Sequence, residues 1–172
     1  MTPTSARRPY PLVRAGGLFV AVMGVGIGGG IAFSGPALVN YAVFYAALAI
    51  AIGSLFLAGY LSQGEPSRLQ IAALAGAIVL EVALIIAMAR LLPLGTAEHV
   101  RWLWVLGIVG VHFVPMALSF GPGFLCLGLA CIANAAVGLR LQAVPFEIFG
   151  LIDGALKLAV GLWLFVPRRK TP

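Results

Sequence analysis

Long apolar runs, separated by short polar or proline-containing breaks, dominate the pattern of residues along this chain. Six windows qualify as spans, at about residues 13–33, 37–61, 69–92, 102–120, 123–139 and 146–166. Each is close to the roughly 20 apolar residues that a helix needs to cross a bilayer. None shows the polar and apolar alternation of a transmembrane strand. The pattern predicts an all-α, polytopic transmembrane helical bundle of about six spans, forming a single domain over residues 1–172.

The basic residues between and beyond the windows predict an orientation. With six spans both termini lie on one side of the membrane, and basic residues concentrate on the cytoplasmic side of membrane proteins. The side of the termini holds seven of these residues: Arg7, Arg8, Arg14, Arg68, Arg168, Arg169 and Lys170. The other side holds only Arg90, Arg101 and Arg140. We therefore expect both termini in the cytoplasm and a multi-pass protein of the cell's inner (cytoplasmic) membrane.

Composition strengthens the membrane interpretation and excludes nucleic acid as a partner. Hydrophobic residues make up 62% of the chain and charged residues 9%, whereas soluble domains carry about 25% charged residues. The net charge of +6 comes from residues that flank the apolar windows, where they contact lipid headgroups. Cys126 and Cys131 both lie inside an apolar window and lack the spacing of a redox or zinc motif, so we interpret them as small core residues.

Glycines at helical spacing indicate where helices approach each other closely. Gly24 and Gly28 form such a pair in the first window, and Gly150 and Gly154 form one in the last. Close packing inside the monomer is one interpretation, and a homo-oligomer that joins through these four glycines is the other. The segments Ser34-Gly35-Pro36 and Ser119-Phe120-Gly121-Pro122 also end the first and fourth windows alike. Two inverted halves would explain this, and so would the common use of Gly-Pro as a tight turn between helices.

Five polar residues lie deep inside the windows, where polar groups are costly and usually functional. They are Glu81, His112, Asn134, Asp153 and Lys157. Glu81 lies 12 residues into its window and His112 lies 10 residues into the next. At about 1.5 Å per residue both reach the membrane midplane, and Asn134 and Lys157 fall at a similar depth. We therefore predict one buried polar layer made by four helices.

The pairing of these residues has a structural and a functional interpretation. Asp153 and Lys157 are four residues apart and share a helix face, so they can form an ion pair within their helix, and Lys157 can also reach Glu81 or a bound anion. Glu81 has no opposite charge within four residues on its own helix. A carboxyl group whose protonation depends on a neighbour such as His112 suits a proton-coupled step, and an interhelical hydrogen bond explains it equally well.

No catalytic constellation, metal site or cofactor site is visible in the sequence. His99 and His112 are the two histidines, and neither belongs to a paired metal-ligand motif. The serines lack the strand-to-helix context of a nucleophile elbow. We therefore expect no metal and no cofactor, and the sequence favours a protein that is not an enzyme without deciding the point. The segment His112-Phe113-Val114-Pro115, in a short multi-spanning chain, resembles small uncharacterised bacterial membrane proteins, a resemblance that brings no activity with it.

Three functions remain open at this point. The first is binding or transport of a small solute or protons at the midplane layer, with Glu81, His112, Asn134, Asp153 and Lys157 lining the site. The second is a structural or partner-binding membrane subunit, in which the same groups only hold helices together. The third is a membrane-embedded enzyme that acts on a lipid or a quinone. Replacing Glu81 separates the first two, because a site residue affects activity and a structural residue affects stability.

Overall fold

A computed structural model describes residues 10–34 and 39–166 of the chain, and that part is a bundle of helices. The basic residues at positions 7, 8 and 168–170, on which the predicted orientation partly depends, lie outside it, as does Gly35-Pro36. The helices are α1 (Val13–Ala32), α2 (Tyr41–Leu55), α3 (Ala58–Leu61), α4 (Arg68–Leu91), α5 (Glu98–Phe120), α6 (Pro122–Arg140) and α7 (Phe146–Phe165).

The prediction of a polytopic helical bundle is confirmed. Five helices, α1, α4, α5, α6 and α7, are long and apolar enough to cross a membrane, and α2 is a shorter apolar helix. The predicted count of about six spans is consistent with these five helices and the shorter α2. The ends of the five long helices fall within a few residues of the predicted windows, except that α5 begins one turn early at Glu98.

The second predicted span differs from the observed helices, because it is interrupted. Helix α2 ends at Leu55, and a turn at residues 56–57 separates it from the four-residue α3. The hydroxyl group of Ser54 donates a hydrogen bond of 2.6 Å to the carbonyl oxygen of Ala51, a bond that bends helices. The backbone N–H of Leu57 then bonds the carbonyl oxygen of Ser54 at 3.0 Å, which tightens the last turn and ends α2.

Glycine allows the first and last long helices to pack backbone to backbone. A Cβ atom added at Gly24 would lie closer than 3.0 Å to the backbone of Gly154 and Leu158. The same addition at Gly154 would crowd the backbone of Gly28, and at Gly150 it would meet the side chain of Ile31. The glycines predicted as an oligomer contact therefore pack α1 on α7 within one chain. Homo-oligomerisation stays a prediction, and through these residues it would compete with this packing.

The beginning of α1 and the end of α7 lie on the same side of the bundle. Nε of Arg14, in the first turn of α1, donates a hydrogen bond of 3.1 Å to the carbonyl oxygen of Phe165 at the end of α7. The cytoplasmic location of that side stays a prediction.

The turn between α5 and α6 is tight. Gly121 adopts a φ of 96°, a backbone conformation that glycine tolerates. Pro122 begins α6, at a position where its missing N–H has no cost.

Candidate functional site

A narrow cavity runs through the middle of the bundle, and we call it the central cavity. Its volume is about 470 Å³, within the range of small-molecule sites. It follows α1 from Gly16 to Ile31, a length of about 22 Å along a helix axis. Trp102 and Phe146 line it towards one end, and Phe120 and Phe124 towards the other. The cavity is therefore long, thin and aromatic at both ends.

Glu81, His112 and Lys157 are the three side chains with ionisable groups that line this otherwise apolar cavity. They come from α4, α5 and α7, three different helices. The 24 residues of α4 present most of their surface to the outside of the bundle, and only 6% of its spanning window is buried. Glu81, by contrast, is 27% exposed as a side chain and faces inward. The structure thus brings together three of the five predicted site residues around one space.

Glu81 and His112 face each other without a direct hydrogen bond. Oε2 of Glu81 lies 3.7 Å from Nδ1 of His112, which is longer than a hydrogen bond. The His112 side chain is only 7% exposed. Its imidazole interacts with the backbone of Val109, but its Nδ1 makes no hydrogen bond of ordinary geometry among the described residues. Buried polar atoms are nearly always hydrogen-bonded. A single oxygen atom beside the line that joins the two atoms, about 2.8 Å from each, would satisfy both.

His112 is held in place by the helix that carries it. Helix α5 continues as one helix through Pro115, which removes a backbone N–H one turn beyond His112. The imidazole ring packs on the ring of Phe113, with centroids 4.5 Å apart. Phe113 in turn contacts Phe124 of α6 edge to face, at 5.6 Å between centroids. The aromatic packing restricts the position that the imidazole can take.

Asp153 and Lys157 form the ion pair that their spacing predicted. The Lys157 ammonium group bonds Oδ2 of Asp153, and the two side chains are 2% and 0% exposed. The ammonium group also lies 5.8 Å from the centre of the Phe113 ring, within the range of a cation–π interaction. The pair neutralises two charges that would otherwise be costly in the membrane interior. Lys157 reaches the cavity as half of this pair.

Asn134 lies apart from the cavity and connects two helices. Its Nδ2 donates a hydrogen bond of 2.8 Å to the backbone carbonyl oxygen of Phe149, so it links α6 to α7. Asp153 contributes to the site only through Lys157, and its Oδ1 has no hydrogen-bond partner among the described residues. The five predicted residues therefore divide into Glu81, His112 and Lys157 at the cavity and Asn134 and Asp153 behind it.

Sequence reasoning missed one polar neighbour of the ion pair. The Cys131 side chain is fully buried, and its thiol interacts with both Asp153 and Lys157. Cys131 lies three residues before Asn134 on α6, and that spacing placed it near the predicted polar layer. Within the ranges that the structure describes, no three or more His, Cys, Asp or Glu side chains come together as a metal site.

Residues 4–172 match the model of DUF6609, a family of unknown function. The chain belongs to the DUF6609 family. This membership agrees with the resemblance to uncharacterised membrane proteins and covers nearly the whole chain, so the cavity is part of the DUF6609 region. Comparisons with curated proteins and with solved structures found no match.

Proposed function

We propose that this protein binds a small, mostly apolar molecule in the central cavity, with Glu81 and His112 holding the polar group of that molecule. The observation that carries the proposal is the buried Nδ1 of His112, which makes no hydrogen bond within the described residues and faces Glu81 Oε2 at 3.7 Å. Ligand sites commonly combine an apolar lining with a few polar groups that fix orientation. The cavity has this composition, because its lining is apolar apart from a few polar side chains.

The chemistry of the two groups favours a neutral ligand. The positive charge of Lys157 is matched by Asp153 in the buried pair, so no unmatched cation faces the cavity to attract an anion. A hydroxyl or carbonyl oxygen, by contrast, fits between a carboxyl group and an imidazole. Transport of the ligand or of protons across the membrane is a further proposal, supported by the depth of Glu81 and His112 in their spans.

The location follows from the same features. Five helices long and apolar enough to cross a bilayer indicate an integral membrane protein. We propose the cytoplasmic membrane of a bacterium, with both termini in the cytoplasm. The support for this orientation is the excess of basic residues on the side of the termini.

A binding assay in lipid nanodiscs tests the proposed function. The probe is tritiated dodecanol, with empty nanodiscs as background and unlabelled dodecane as a competitor that lacks the hydroxyl group. We expect saturable binding that dodecane displaces poorly. Glu81→Gln and His112→Ala should each weaken binding by on the order of tenfold, the loss of one hydrogen bond to a charged or polar partner. Glu147→Gln, which changes a carboxyl group outside the cavity lining, should bind as the original chain does.

Two results would overturn this function. One is the absence of saturable dodecanol binding to the original chain. The other is unchanged affinity in both Glu81→Gln and His112→Ala while each variant keeps its thermal stability. The second result would leave the polar groups with a structural role only.

A further inference from the structure

Apart from the four-residue α3, the helices form two sets in chain order, a first half of α1, α2 and α4 and a second half of α5, α6 and α7. With one exception, corresponding helices pack in the same way. Helix α1 packs on α2 as α5 packs on α6, and α1 packs on α7, of the other half, as α5 packs on α4. The next pair in each half would be α2 with α4 and α6 with α7. Helices α6 and α7 pack directly, whereas α2 and α4 make no comparable contact in the described part of the chain. A cleft therefore lies between α2 and α4.

The cleft between α2 and α4 is also where the central cavity reaches the outside of the bundle. Phe44 and Leu48 of α2 line the cavity on one side of the cleft, and Ile78 and Glu81 of α4 line it on the other. Ile78 is 50% exposed although it lines the cavity, so it lies at the opening. In a bilayer the surface beside these apolar residues is covered by lipid, since both helices present apolar side chains outward.

The ends of the cavity, by contrast, are obstructed by aromatic side chains. At one end the Trp102 and Phe146 rings pack with centroids 6.5 Å apart, beside the hydrogen bond of 2.9 Å that Tyr41 donates to Glu98. At the other end the Phe120 and Phe124 rings stack at 4.6 Å. The open direction is thus sideways into the membrane.

We infer that the occupant of the cavity is a neutral, single-chain amphiphile with a hydroxyl group, dissolved in the bilayer, and that it reaches the cavity sideways between α2 and α4. This inference rests on the proposed binding function and adds the ligand class and the route. The hydroxyl group bridges Glu81 and His112, since it can donate to one and accept from the other. The chain of the amphiphile fills the long apolar part of the cavity, and a narrow space favours one chain over a two-chain lipid.

Tryptophan quenching by a brominated long-chain alcohol tests the occupant. In the variant Trp104→Phe/Trp163→Phe the remaining Trp102 lines the cavity, and adding Phe120→Trp to it places a second reporter at the opposite end. In nanodiscs the alcohol should quench one or both reporters in a saturable way, and brominated phosphatidylcholine should not. A control protein that keeps only Trp163, which is 54% exposed, should be quenched by both compounds without saturation.

The rate of quenching after mixing with alcohol-loaded vesicles tests the route. Ile78→Phe narrows the opening, and Ile86→Phe is its matched control, because Ile86 is on the same helix, is 48% exposed and does not line the cavity. We expect Ile78→Phe to slow association and dissociation together, on the order of tenfold, as a gate does. Ile86→Phe should leave both rates unchanged.

The two arms fail in different ways. If neither reporter shows saturable quenching, the amphiphile does not bind, and the proposed function falls together with this inference. If quenching saturates but Ile78→Phe and Ile86→Phe give equal rates, binding stands and the route between α2 and α4 is wrong. If a brominated fatty acid of the same chain length reaches saturating quenching at lower concentration than the brominated alcohol, the assignment of a neutral ligand is wrong.

Discussion

Glu81 of α4 and His112 of α5 face each other across the central cavity at 3.7 Å between Oε2 and Nδ1. The two residues are 31 positions apart in the chain, yet both lie in the middle of their helices. Because no direct hydrogen bond joins them, one further polar atom placed beside the pair can hydrogen-bond both. This relationship distinguishes them from Asn134 and Asp153, whose side chains already bond to their own chain.

The first prediction concerns Glu81 and separates binding from stability. Glu81→Gln should leave the midpoint of thermal unfolding in detergent within a few degrees, because the carboxyl group makes no hydrogen bond to another described residue and is partly exposed. In proteoliposomes with an imposed pH gradient, any proton flux that the protein supports should fall to the level of empty liposomes. The same flux in Glu81→Gln, His112→Ala and the original chain would contradict proton-linked transport.

The second prediction concerns the buried ion pair. Asp153→Asn should destabilise the protein by about 3–5 kcal/mol, since it leaves the Lys157 ammonium group unpaired in the interior. Lys157→Met in the same chain should restore much of the lost stability, because it removes the stranded charge. Unfolding measured for the two single variants and the double variant gives their coupling energy. A double variant no more stable than Asp153→Asn alone would show that the pair does not account for the loss.

The third prediction uses two glycines of one helix. Gly24→Ala should destabilise the bundle by about 1–3 kcal/mol, because the added methyl group meets backbone atoms of α7 that cannot move aside easily. Gly28→Ala should have little effect, because a Cβ atom there would meet nothing within 4 Å. Thermal unfolding of both variants in the same detergent is the measurement. Equal losses in both would contradict the packing of α1 on α7.

The fourth prediction separates Asn134 from the cavity. Asn134→Leu removes the hydrogen bond to the Phe149 carbonyl oxygen. It should cost about 0.6 kcal/mol, the average for such bonds in membranes, and at most about 1.7 kcal/mol. Because Asn134 does not line the cavity, dodecanol affinity in nanodiscs should stay within about twofold of the original. A large loss of affinity with unchanged stability would instead place Asn134 in the binding site.

The ends of the spans followed from hydropathy because lipid sets the length of an apolar helix. Helix α1 begins at Val13 and α7 at Phe146, as predicted. The interruption after Leu55 was not predictable in this way, since the bond from Ser54 to Ala51 changes the backbone without changing hydropathy. Hydropathy also did not predict the start of α5 at Glu98, because a helix can continue beyond its apolar residues into the polar interface.

The proximity of Glu81 and His112 was predicted from their similar depth in the membrane. The direction in which each polar side chain points depends on the rotation of its helix about the helix axis, and this was not predicted. Asn134 lies at a similar depth in its span, but its side chain faces the α7 backbone. Sequence spacing gives the depth of a residue directly, whereas its direction depends on how neighbouring helices pack. The cavity itself was not predictable, because it depends on how little α2 and α4 contact each other in the part of the chain that the structure describes.

The packing of α1 on α7 has a consequence for the synthesis of the protein. Helix α1 leaves the ribosome well before α7, the helix on which it packs most extensively, because α7 begins about 130 residues later along the chain. Until α7 enters the membrane, the glycine-rich surface of α1 around Gly17 and Gly24 has only lipid or the insertion machinery to contact. The contact between α1 and α7 therefore forms only after the helices between them have been synthesised, and a chain shortened before α7 lacks the partner of this surface.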